Sequence, residues 1–213
     1  IGAAILEHPE NATLLGYFER EAKVVAALQH PNIIQVFEFS RSADEPAYIV
    51  TEFVDGITFE ELMETRPELP TATVLALLLP VAEALEYAHE REIIHRDLKP
   101  GNVMISRHGR VYLMDFGLAK PIGQSGLKSM IIGSPAFMAP EQIEGKENDR
   151  RADVFSFGLM VYALRTGELF FSAEAPKAFI EILTDEYPAP AKLERLGDPT
   201  LAEIVKGCVQ RDP

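Results

Sequence analysis

The chain has 213 residues, 47% of them hydrophobic, enough to bury one sizeable core or two small lobes, which excludes a disordered tail. With 33 acidic against 20 basic residues the formal charge is -13, so electrostatics disfavour nucleic acid and anionic membrane as general partners. The single cysteine, Cys208, permits no internal disulfide and lies in the apolar context EIVKGCVQ, which fits a reducing, cytoplasmic compartment.

Residues 14 to 29 place Leu14, Phe18, Ala22, Val25 and Leu28 at three- and four-residue spacing, which predicts an amphipathic helix stopped by HPN. Two β-rich runs follow, IIQVFEF (33–39) and AYIVTEF (47–53), separated by the polar turn SRSADEP; that is a strand pair. Asp55 and Gly56 break the pattern. From there the reading is mainly helical, over 58–65, 71–90, 151–165, 176–183 and 199–210.

The longest apolar run, TVLALLLPVA (73–82), is too short to span a bilayer and is closed by Glu83, so it predicts a core helix. Pro80 removes a backbone donor inside that helix, which predicts a kink. The proline-studded stretch from 184 to 199 reads as an extended connection.

Residues 95–106 read HRDLKPGNVMIS, and DFG follows at 115–117. Asp97 and Asn102 flank LKPG, where Pro100 and Gly101 let both side chains turn toward one point. The runs VMI (103–105) and VYLM (111–114), joined by the turn SRHGR, predict a hairpin that returns Asp115 beside Asn102. Carboxylate and amide oxygens so gathered suit a hard cation and a phosphate. APE closes the series at 139–141.

With these motifs in order, the chain resembles the eukaryotic-type (Hanks-type) serine/threonine protein kinase family across nearly its whole length. The resemblance implies an α+β, bilobal fold, with a partial small lobe at 1–54 and a helical large lobe at 55–213 that lacks its last helix. HPNII, GNVMIS and LMDFGLAK most resemble bacterial members. The implied reaction is transfer of the ATP γ-phosphate, with Mg2+, to Ser or Thr hydroxyls of protein substrates. Small-molecule phosphotransferases keep the Asp and Asn but lack the DFG to APE segment, and are a distant alternative.

By that resemblance Asp97 would accept or orient the proton of the substrate hydroxyl, and Asn102 and Asp115 would hold Mg2+. Lys99 would sit near the γ-phosphate, the pattern of Ser/Thr-specific members. Ser134 stands where the family usually carries Thr and keeps a hydroxyl able to bridge Asp97 and Lys99. Glu21 would pair with the strand lysine that touches the α- and β-phosphates. Thr51 would stand at the gate of the adenine pocket, Glu52 to Val54 would offer backbone hydrogen bonds, Asp55 would lie near the ribose and Met104 would pave the floor. Asp153 would accept hydrogen bonds from the catalytic-loop backbone. Ser125 and Ser129, in the loop between DFG and APE, would be sites for phosphate, and phosphate on Ser129 would order the loop against Arg96. Glu92 stands where many relatives have Gly, so it either adopts φ > 0 or the turn differs locally.

Two family features do not occur in full: the Gly-rich loop and the V-A-I-K-like strand. The first basic residue is Arg20, and Ala4 lies at the lysine position if IGAAIL is the remnant of that strand. A first residue other than Met, and an end at RDP before the arginine-bearing helix expected to pair with Glu141, read as truncation at both ends. The 213 residues alone are then expected to bind nucleotide weakly and turn over little, and the small-lobe surface to promote kinase dimers. The alternative is a pseudokinase acting as a binding or regulatory scaffold.

Overall fold

The computed structural model describes residues 25–40, 48–116, 135–146, 149–184, 187 and 190–211. Glu21, Ser134, Ala4, Ser125 and Ser129 lie outside them, as does most of the predicted helix over 14–29, of which Val25 and Ala26 are helical.

Among the described residues, five short strands form two antiparallel sheets, β1 (Val36–Ser40) with β2 (Tyr48–Thr51), and β3 (Gly56–Thr58), β4 (Val103–Ser106) and β5 (Val111–Leu113) in that order. β3 lies where no strand is predicted, immediately before the helix predicted over 58–65. It is too short to show a period, and it exists because its backbone lies against β4, with Ile57 opposite Ile105. A side chain at Gly56 would strike the Ile105 carbonyl, so glycine is what permits the approach.

The predicted run at 33–39 also divides. Ile33 and Ile34 leave β1 and turn to β5: Leu113 N–H donates to the Asn32 carbonyl at 2.8 Å and Ile34 N–H to the Leu113 carbonyl at 3.0 Å. Asn32 Nδ2 adds a bond to the Val111 carbonyl at 2.8 Å. The segment after HPN is thereby laced to the strand that leads into Asp115.

Helix α1 (Phe59–Thr65) starts at a capping box in which Thr58 and Glu61 satisfy each other's backbone N–H groups. Helix α2 (Thr71–His89) runs unbroken through Pro80. Its buried residues Val74, Leu77, Leu78, Val81, Ala84, Leu85 and Ala88 keep three- and four-residue spacing. A fully buried Leu or Val of this kind contributes about 1.5–3 kcal/mol. By length and composition alone this helix could cross a membrane. Within the fold its apolar stripe packs on β5 and on the central helix α4 (Arg151–Thr166).

Between them lies the short α3 (Pro140–Ile143), and beyond α4 come α5 (Ala175–Thr184), α6 (Pro190–Arg195) and α7 (Pro199–Cys208). α6 corrects the extended reading of 184–199. Pro190 sits at the first helical position, where its missing N–H is not needed. Phe170 and Phe171, with Tyr162, Phe155 and Tyr187, form an aromatic cluster under α6, and Lys192 lies over the Phe170 ring at 4.5 Å. Twelve residues of α4 are buried, so this helix is the axis on which the catalytic loop and α7 both rest.

Candidate active site

The loop from His95 to Asn102 is held from beneath by one carboxylate. Asp153, 1% exposed on the first turn of α4, accepts the backbone N–H of His95 through Oδ2 and that of Arg96 through Oδ1, each at 2.8 Å. His89 Nε2 lies 2.7 Å from Oδ2. Three donors therefore converge on a buried anion, which offsets its desolvation. The support fixes an unusual backbone: Arg96 has φ 64, a left-handed conformation that is unfavourable for a side chain of its size. Gln142 of α3 completes the clamp, its Nε2 donating to the Arg96 carbonyl at 2.8 Å while its Oε1 accepts the Ala139 N–H at 2.9 Å.

His95 is fully buried and joins the loop to β5. Its Nδ1 accepts the Asp97 N–H at 3.3 Å, so Nε2 carries the proton and donates to the Met114 carbonyl at 2.8 Å. Burial pushes this imidazole below the ordinary histidine value, outweighing the nearby carboxylates of Asp153, Asp97 and Asp115. The Phe116 ring, 2% exposed, packs on His95 with centroids 4.7 Å apart.

Asp97, Lys99 and Asn102 come together above this base. Lys99 Nζ lies 3.1 Å from Asp97 Oδ2, with both side chains partly exposed. Asn102 Nδ2 donates to the Asp97 carbonyl at 2.8 Å and to Asp97 Oδ2 at 3.1 Å. Both partners are acceptors, so the amide nitrogen must face them and the amide oxygen turns away. Met114 N–H donates to the Asn102 carbonyl at 2.9 Å, which sets Asp115 directly after a residue bonded to Asn102. Asp115 is exposed and has φ 52, so it leaves the strand in a left-handed turn.

An outward amide oxygen and an exposed carboxylate are hard donors of the kind Mg2+ takes, together with phosphate oxygens. Among the described residues no cluster of three or more His, Cys, Asp or Glu side chains occurs, so the fit is to a cation shared with a phosphate and not to an all-protein cage.

Val54 and Met104 meet in a small apolar cluster with Ile34, Tyr112 and Met114, separate from the main core. The Val54 backbone N–H and carbonyl make no hydrogen bond among the described residues. Thr51 ends β2, and the Glu52 N–H is engaged by the Gln35 carbonyl at 2.8 Å. Asp55 pairs with Arg107 at 3.0 Å on the surface.

The sequence reading singled out Asp153 but passed over His89 and Gln142. Both act through partners 64 and 46 residues away, and no local pattern marks them. Glu92 has φ 60, the first of the two outcomes anticipated for it.

The sequence matches the family described as Protein kinase domain over residues 6–213. It is 36% identical over 199 residues to serine/threonine-protein kinase PknB of Mycobacterium tuberculosis, covering 89% of this chain and 32% of that protein. Similarity to PknB of Mycolicibacterium smegmatis is 34% over 206 residues, covering 92% of this chain and 33% of that one. The chain thus spans about a third of the length of these relatives.

Proposed function

The chain belongs to the protein kinase family, with the α+β kinase fold, and on that premise we propose that it transfers the γ-phosphate of ATP to serine or threonine hydroxyls of protein substrates. The observation that carries this reading is the contact of Asp97 Oδ2 with both Lys99 Nζ and Asn102 Nδ2, each at 3.1 Å, beside a chain turn that presents Asp115.

Asp97 orients the acceptor hydroxyl and takes its proton; Lys99 and Asn102 fix the rotamer of that carboxylate. Lys99 also offers its positive charge to the transferring phosphoryl group. Asn102 Oδ1 and the Asp115 carboxylate would hold Mg2+, which when bound neutralises phosphate charge. Val54 and Met104 supply the apolar bed for adenine, and the Val54 backbone supplies its hydrogen bonds. Glu21 and Ser134 keep the roles implied by resemblance, strand-lysine pairing and bridging of Asp97 and Lys99. A cytoplasmic location is part of the reading, supported by the lone Cys208. Apolar residues on the small-sheet surface, Phe37 at 67% and Phe53 at 88% exposure, support association between kinase copies there.

The test uses the full-length gene product, γ-labelled ATP, Mg2+ and a protein substrate, with identification of the labelled amino acid. Label on serine or threonine that falls by about 10²–10⁴-fold in Asp97→Asn is expected. Absence of label with the intact protein, or equal label in the variant, refutes the reading.

A further inference from the structure

The peptide bond between Arg96 and Asp97 is held on both sides. Its N–H donates to His95 Nδ1 at 3.3 Å, and its carbonyl accepts from Gln142 Nε2 at 2.8 Å. The peptide follows a residue at φ 64 and leads into Asp97, so the tilt of its plane aims the Asp97 side chain. A strained backbone of this kind has a second arrangement within reach, in which the plane turns over and the carbonyl and N–H exchange directions. The two hydrogen bonds oppose that turn, because each group would then face a partner of its own kind.

The two holds come from different parts of the chain. His95 belongs to the loop itself and is fully buried. Gln142 comes from α3, one residue past the stretch that runs from DFG to APE. Its amide is used at both ends: Oε1 accepts the Ala139 N–H at 2.9 Å while Nε2 reaches the Arg96 carbonyl. A donor required on one side and an acceptor on the other leave a glutamine one orientation here. The amide is therefore a strut between two backbones, with its foot on the fully buried Ala139 and its head on the peptide before Asp97. Two residues before that foot, the Phe137 carbonyl accepts from Ser156 Oγ at 2.7 Å, so the foot belongs to a segment that is itself seated on α4.

We propose that Gln142 is a positioning residue for the transfer reaction, coupling the seat of the segment at 135–143 to the aim of Asp97. This rests on the kinase reading given above. With the segment seated on α4, the strut pins the Arg96 carbonyl and Asp97 is held toward the acceptor hydroxyl. With the segment displaced, that carbonyl loses its donor, the peptide turns more freely and Asp97 is no longer confined to one direction. Both bonds of Gln142 are to backbone, so its effect falls on the orientation of the proton acceptor and leaves nucleotide and substrate binding to other groups.

The experiment uses the full-length protein and its Gln142→Glu, Gln142→Met and Gln142→Lys variants. Gln142→Glu keeps the acceptor for the Ala139 N–H and sets an oxygen against the Arg96 carbonyl. Gln142→Met makes neither bond, and Gln142→Lys restores a donor to that carbonyl alone. The first two are expected to lower kcat by about threefold to tenfold, the worth of one hydrogen bond, with KM for Mg-ATP and for a serine peptide unchanged. Gln142→Lys should recover most of the lost kcat. Hydrogen–deuterium exchange, read by mass spectrometry, should quicken over residues 95–98 in Gln142→Glu and Gln142→Met, return toward the parent rate in Gln142→Lys, and stay unchanged in α7. Unchanged kcat in Gln142→Glu overturns the proposal, as does exchange that quickens equally in α7 or fails to quicken in the loop. Exchange is read without turnover, so a protein that phosphorylates no peptide counts against the kinase reading alone, and the hold of Gln142 on the loop is still decided.

Discussion

Asp153 and Arg96 lie 57 residues apart in the chain, yet one carboxylate oxygen of the first accepts the backbone N–H of the second at 2.8 Å. The bond holds a non-glycine residue in a left-handed conformation, immediately before the carboxylate proposed to do chemistry. The geometry of the loop is therefore set by a helix beneath it and not by the loop's own preferences.

Asp153→Asn replaces one acceptor oxygen with a donor, so an N–H of the loop or His89 is left facing an N–H. The expected result is a loss of about 1–3 kcal/mol in urea unfolding, with a lower kcat. An unchanged unfolding midpoint together with unchanged kcat would contradict the role given to this residue.

Gly158→Ala and Gly207→Ala should move stability in opposite directions. An alanine Cβ at 158 would lie 2.5 Å from Cys208 Cβ and 2.9 Å from Val209 Cγ2, where α4 meets the end of α7. Overpacking there costs about 1–3 kcal/mol, more than the helix propensity gained. At Gly207 nothing lies within 4 Å, and the change should stabilise by up to about 1 kcal/mol. Thermal unfolding of the two variants side by side checks the contrast.

Acidification should destabilise the fold through His95. Burial lowers its folded pKa below the ordinary 6.5, so the unfolded chain binds a proton that the folded chain resists. Stability from this group is complete above 6.5 and is lost as pH falls from there toward the folded value. The dependence of the unfolding midpoint on pH should be shallower in His95→Phe over that window; an identical slope would rule out this origin.

Cys208 should react slowly. Desolvation raises its thiol to about 11, so little thiolate exists at neutral pH. Labelling with a disulfide reagent should be slow in the native protein and fast in denaturant. Rapid native labelling would show that α7 does not bury the thiol as described.

Much of the site was legible in the sequence because it is local. Asp97, Lys99 and Asn102 fall within six residues, and the hairpin that returns Asp115 is marked by two apolar runs around a Gly-containing turn. The long helices were legible too: the predicted spans 71–90 and 151–165 become Thr71–His89 and Arg151–Thr166. What escaped is what depends on distant partners. Gln142 and His89 gain meaning only when α3 and α4 lie under the loop. Ser156 likewise donates to the Phe137 carbonyl at 2.7 Å, tying the turn before α3 to the central helix. β3 is defined by its neighbour and not by its three residues, and α6 hides in a proline-rich run because Pro190 starts a helix as readily as it interrupts one.

The lacing of Asn32 and Ile34 to β5 also constrains the order of assembly. A nascent chain leaves the ribosome front first, but the backbone groups at 32–34 find their partners only after a strand 79 residues later has been made and folded into its hairpin. Closing so long a loop is slow compared with forming the helices between. The segment at 32–34 therefore waits on a strand made later, and its pairing is completed by a template synthesised afterwards.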